Sequence, residues 1–244
     1  MKTFVIALAS VWSILLPAAC VVFWKKKTSA PIKPFIVGAV TFLVFAMGLE
    51  QLLHVICLPL VMDKPLLSAL YGALAAGVFE EAGRFVAFST VLKKNTAKNN
   101  SVAYGIGHGG IEVLLVLGIN YITVLFVLIT KNPVALNALQ PAIEQLAPGV
   151  VLVAMLERLF AMLFHICASV FVFISVHDKS KRWYFPLAIL LHALLDLPAA
   201  FYQKGLLSLW AVEAIVVVYT VLFAVITKKV YAGYREKAAE ECTE

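Results

Sequence analysis

Residues 66–92 read LLSALYGALAAGVFEEAGRFVAFSTVL. At a rise of about 1.5 Å per residue, a helix of this length crosses the ~30 Å hydrocarbon core of a bilayer. The stretch is apolar except for Glu80, Glu81 and Arg84 near its middle. A charge at that depth costs about 2.5–3.5 kcal/mol if it faces lipid. The segment therefore reads as a spanning helix whose charged turn faces the interior of a bundle.

Six further apolar stretches have the same character, at 3–24, 34–60, 102–130, 149–176, 183–203 and 205–228. The first ends in a run toward Lys25-Lys26-Lys27 and reads as an uncleaved span rather than a signal peptide. Across all 244 residues, 62% are hydrophobic and 14% charged, and mean hydropathy is +0.94. Soluble chains run near 45–50% apolar and about 25% charged. The expected fold is all-α: a polytopic membrane bundle of about seven transmembrane helices, forming one integral membrane domain over 1–244. The composition excludes a disulfide-stapled secreted scaffold and a disordered tail. Cys20, Cys57, Cys167 and Cys242 form no C-x-x-C pair, and three of them lie in apolar runs, so neither a disulfide framework nor a cysteine metal knuckle is expected.

Net charge is +6, but the cations follow topology. The segments 25–33, 93–98, 177–182 and the tail from 228 carry 14 Lys and Arg, whereas the alternate side carries Lys2, Lys64, Lys131 and Lys204. The positive-inside rule places the N-terminus outside and the C-terminus in the cytosol of a plasma-membrane protein. The basic pI is thus no nucleic-acid signal, and the expected partners are membrane lipid and a peptide or membrane-protein substrate. The longest external connection, 131–148, carries Pro133, Pro141 and Pro148. It reads either as an interfacial lid or as a plain connector.

The ionisable residues inside the spans carry the functional information. They are Glu50, Glu80, Glu81, Arg84, Glu112, Glu157, Arg158, Asp196 and Glu213, joined by His54, His108, His165 and His192. Unpaired and facing lipid, nine charges would cost on the order of 25 kcal/mol, more than the stability of a typical domain. Seven acids against two arginines leaves an excess that protons, water, histidines or a bound cation must offset. Counted from the lysine-rich side, Glu81, His108, Glu112, His165, His192 and Asp196 fall at about 9–20 Å. Glu50, His54, Glu157, Arg158 and Glu213 form a second, outer layer. Of these, Glu157-Arg158 and Glu50–His54 read as structural pairs.

Positions four apart share a helix face. His108 and Glu112, His192 and Asp196, Glu80 and Arg84, and His165 and Ser169 are such pairs. Arg84 reads as the counter-ion that orients Glu80 and Glu81. Gly105-x-x-x-Gly109 permits close helix approach and leaves room beside His108. A buried glutamate beside histidines suits general-base activation of water. Three histidines on three helices, His108, His165 and His192, also suit a metal, with zinc the natural occupant. Neither H-E-x-x-H nor G-x-S-x-G occurs.

Glu80-Glu81-Ala82-Gly83-Arg84, Tyr104-x-x-x-His108 and His192-Ala193-Leu194-Leu195-Asp196 resemble the three motifs of the CAAX-protease and bacteriocin-processing superfamily of intramembrane proteases. The wording around them, Gly107-His108-Gly109-Gly110-x-Glu112, Glu157-Arg158 and His165, is similar to its YhfC-type branch of intramembrane metalloproteases. The resemblance implies a catalytic core of four helices within 66–203, with peripheral helices at 3–24, 34–60 and 205–228 and a cavity open toward the cytosol. It implies an intramembrane endopeptidase, glutamic or zinc-dependent, acting on a membrane-associated or prenylated substrate. Glu80 or Glu81 would be the base, His108 and His192 the water and oxyanion partners, and Asp196 their orienter. Glu112 and His165 are supporting groups beyond the three-motif pattern. Two other readings stay open: a proton-coupled transporter, because acid–histidine chains also serve proton relays, and a non-catalytic membrane scaffold.

Overall fold

A computed structural model of the chain describes residues 1–235; Cys242 and the end of the tail lie outside them. The described residues form eight helices. They are α1 (Lys2–Thr28), α2 (Ile32–Val61), α3 (Pro65–Ser89), α4 (Asn99–Thr130), α5 (Pro133–Gln145), α6 (Pro148–His177), α7 (Tyr184–Gln203) and α8 (Leu209–Gly233). All seven expected spans are helices. Six of them are long and apolar enough to cross a membrane by length and composition; α3, diluted by Glu80, Glu81 and Arg84, is not among the six. It is nonetheless 25 residues long, about 37 Å, and is packed among α2, α6 and α7.

Local chemistry sets the helix ends. Proline occupies the first turn of α3, α5 and α6, where its missing N–H costs no hydrogen bond. Asn132 caps α5 by accepting from the Val134 and Ala135 N–H groups. Ser29 and Lys131 terminate α1 and α4 in the left-handed region, at φ 56° and 53°. Connections are short, so successive helices run antiparallel.

The lysine-rich segments gather at one end of the bundle. There Lys33 Nζ donates to the Val91 carbonyl at 2.9 Å and Trp24 Nε1 to the Asn99 carbonyl at 3.0 Å. At the opposite end, Lys2 Nζ donates to the Ile143 carbonyl at 2.7 Å, tying α1 to the last turn of α5. The connection 131–148 is therefore a capped, anchored helix. Outward faces are apolar: Val55 is 75% exposed, Phe126 66% and Trp210 69%. A surface this apolar suits lipid rather than water.

Glycines allow the tightest crossings. An added Cβ at Gly107 would sit 1.9 Å from the Phe35 carbonyl oxygen on α2, and one at Gly105 would sit 2.5 Å from Ile166 Cα on α6. Gly77 of α3 meets α7 in the same way, 2.7 Å from the Ile189 carbonyl oxygen. The space the glycines leave is thus filled by neighbouring backbone. The close approach expected at Gly105 and Gly109 is present, whereas the free room expected beside His108 is not.

Two helices carry π-helical segments, Phe45–Glu50 in α2 and Val113–Gly118 in α4. Such segments recur at functional sites because they re-aim the side chains that follow. The first ends on Glu50, and the second begins directly after Glu112.

Candidate functional site

Four helices bring their polar groups together. The charged turn of α3 places Glu80, Glu81 and Arg84 in the bundle interior, with Glu81 and Arg84 fully buried. Arg84 Nη1 donates to both carboxylate oxygens of Glu81, at 2.5 and 2.7 Å. The expected orientation of both glutamates by Arg84 is therefore resolved in favour of Glu81. Glu80 instead accepts from His108 Nε2 at 2.8 Å, across from α4.

The two remaining histidines are held by parallel relays. His192 Nδ1 donates to Glu81 Oε1 at 2.7 Å, which completes an Arg84–Glu81–His192 chain. His165 Nε2 lies 2.5 Å from Glu112 Oε2, and Arg158 Nη1 donates to Glu112 Oε1 at 2.5 Å, which makes a second chain, Arg158–Glu112–His165. Arg84 Nη2 donates to His165 Nδ1 at 3.1 Å, so the His165 ring proton sits on Nε2. A carboxylate on one ring nitrogen leaves the other as an acceptor, the usual arrangement behind a metal-ligating histidine.

Those acceptor nitrogens, His165 Nδ1 with its bond from Arg84 and His192 Nε2, face Glu80. His165 Nδ1 lies 3.7 Å from Glu80 Oε2, and His192 Nε2 lies 3.9 Å from Glu80 Oε1. Glu80, His165 and His192 each bring one donor atom to within 4.8 Å of the others. Glu80 thus stands where the sequence reading expected His108, which supports Glu80 from behind. Metal ligation by His165 would replace its bond from Arg84. The charge balance suits a cation: Glu80, Glu81, Glu112, Glu157 and Asp196 face only two guanidiniums. Two histidines and a glutamate are also an ordinary donor set for zinc, with a position left for water. The residues fit a divalent metal.

A cavity of about 140 Å³ adjoins the cluster. Glu80, His165 and His192 line its inner part. Toward its opening stand Arg158, Glu157 and Asp196, whose side chains are 17%, 28% and 35% exposed. Asp196 Oδ2 lies 3.5 Å from His192 Nε2. Asp196 was the expected orienter, but Glu81 holds His192 through Nδ1, while Asp196 approaches the open side.

The cavity extends past His192 to Ala199 and back from His165 to Glu157, away from the lysine-rich end. On the lysine-rich side, Phe88, Tyr104 and Phe173 are packed with 0% exposure. The opening toward the lysine-rich side that the resemblance implied is thus closed by an aromatic core.

The outer layer divides. Glu50 lies 3.2 Å from His54, which pairs with Tyr71 at 2.9 Å, as a structural pair should. Glu213 is buried with both carboxyl oxygens unpartnered among the described residues. Arg158 and Glu157 pair with each other as expected, but Arg158 also joins the inner site. The signal was present in the sequence: Arg158 precedes His165 by seven residues, two turns on one helix face.

The chain matches the YhfC intramembrane metalloprotease family over residues 12–217. It belongs to that family. It is 35% identical over 232 residues to an uncharacterized membrane protein, YhfC, of Bacillus subtilis (strain 168), covering 87% of this chain and 89% of the relative. No solved structure matches it. The family match spans α2 to α7 and so contains every residue of the cluster, of both relays and of the cavity opening. The family description implies a metal and a protease in a multi-pass membrane protein.

Proposed function

We propose that this chain is a zinc-dependent intramembrane endopeptidase of the plasma membrane, hydrolysing a peptide bond of a membrane-embedded substrate. The observation that carries the reading is the pair of Arg–Glu–His relays, which turn two histidine acceptor nitrogens toward Glu80. Glu80, His165 and His192 would hold the metal. When bound there, a divalent metal supplies Lewis acidity to the scissile carbonyl and to water.

The remaining steps belong to the chain's own residues. Asp196 is a carboxylate at the cavity with no arginine bonded to it among the described residues, and it takes the proton of the attacking water and passes it to the leaving amine. His108 donates to Glu80 and fixes its orientation. Glu81 and Glu112 hold the His192 and His165 tautomers, and Arg84 and Arg158 hold those carboxylates. The buried surroundings exclude bulk water from the cluster.

The test is cleavage of a transmembrane peptide by purified protein in liposomes. Cleavage should stop on chelation, return with zinc, and be absent in Glu80→Gln. Cleavage that persists through chelation and in Glu80→Gln would overturn the reading. A pH-driven flux in place of cleavage would favour a proton-coupled carrier instead.

A further inference from the structure

The cavity beside the cluster has room for on the order of four waters at about 30 Å³ each, which is too little for a peptide chain. A substrate must therefore be held elsewhere and reach the cluster through a wall. Another cavity meets that wall. It measures about 400 Å³, within the ordinary range for ligand pockets of about 300–1,000 Å³, and lies between α4, α5 and α6. The two cavities share Glu157 and Arg158 in their linings. Arg158 is held there by Glu112 and Glu157, so an ion pair forms the partition between them.

Resting on the hydrolytic reading above, we propose that this groove binds an extended, apolar segment of the peptide substrate, whose scissile bond meets the cluster across the Glu157–Arg158 partition. The walls support a peptide rather than a lipid chain. Val116, Leu117 and Leu139 are apolar, but Asn120, Tyr121 and Thr123 bring an amide, a phenol and a hydroxyl among them. An unwound peptide in hydrocarbon needs partners for its N–H and C=O groups, each costing several kcal/mol if unmet; an acyl chain needs none. The π-helical segment Val113–Gly118 links the two functions. It begins after Glu112, which holds Arg158, and it supplies Val116 and Leu117 to the groove. Helix α5, anchored by Lys2 and capped by Asn132, forms the outer wall through Leu139 and Ala142.

The test uses a synthetic transmembrane peptide rich in Leu and Ala, with one benzophenone residue at its centre, added to the full-length protein in liposomes. Cross-links should map to residues 116–124 and 139–146. Filling the groove by Ala142→Trp, or separately by Ala154→Trp, should lower their yield at least tenfold. The same cross-links should form in Glu80→Gln, so binding is read apart from hydrolysis. Cross-linking at the groove without any cleavage would sustain the groove as a peptide site while removing the hydrolytic reading and the scissile-bond placement that rests on it. Cross-links spread over lipid-facing helices and unchanged by either tryptophan would overturn it, as would a tightly held native lipid that the peptide fails to displace.

Discussion

Replacing Asp196 with Asn is expected to lower peptide hydrolysis by about 10²- to 10⁴-fold, the usual span for loss of a general base, while bound metal and thermal stability stay unchanged. The physical reason is position. Asp196 is the most exposed carboxylate of the cavity, 35% exposed, with the His192 Nε2 side 3.5 Å away. Glu80, by contrast, faces both histidine acceptor nitrogens. Glu80→Gln should therefore lose metal and activity together, whereas Asp196→Asn should lose activity alone. Rates for both variants, measured beside their metal content, distinguish the two roles. Equal metal loss in the two would make Asp196 a ligand instead.

Replacing Arg84 with Ala is expected to destabilise the folded protein by about 3–5 kcal/mol, because it strands a carboxylate at a site with no exposure. His192 still touches Glu81 at 2.7 Å, but one histidine hydrogen bond does not replace a guanidinium nitrogen that meets both carboxylate oxygens. Arg84 also lies over the Tyr104 ring, with its Cζ 6.0 Å from the centroid, so the truncation removes packing as well. Removing both charges by Glu81→Gln with Arg84→Gln should cost less than Arg84→Ala alone, since no unpaired ion remains buried. Thermal unfolding in detergent reads the difference. A double variant as unstable as the single one would show that packing, rather than charge, holds this turn of α3.

Much of this was legible in the sequence because hydrocarbon punishes charge so heavily. Glu81, Glu112, His165 and His192 could be singled out by depth, and the structure sets all four in the two relays, with Glu80 between the two histidines. What sequence spacing could not resolve is which partner each side chain meets across helices. The i,i+4 rule pairs Glu80 with Arg84 and His108 with Glu112. The structure pairs Arg84 with Glu81 three residues away and sends Glu112 to His165 and Arg158 on α6. Helix spacing ranks faces to within tens of degrees, whereas a guanidinium on a long stem chooses among several carboxylates by reach. Arg158 was assigned to the outer layer for a similar reason: counting 1.5 Å per residue locates its Cα and omits the length of its side chain. The cavity's position is a packing property of Phe88, Tyr104 and Phe173, which fill the other side. Nothing in a linear pattern of aromatic residues distinguishes that plug from ordinary lipid-facing side chains.

The most direct test of the Glu80–His165–His192 centre is the metal content of the purified protein, measured per chain for the wild type and for His108→Ala, His165→Ala and His192→Ala. One divalent ion per chain is expected in the wild type and in His108→Ala, with loss of at least tenfold in occupancy in His165→Ala and His192→Ala. Folded protein that carries no metal in any of the four, or that loses it only in His108→Ala, would contradict the account.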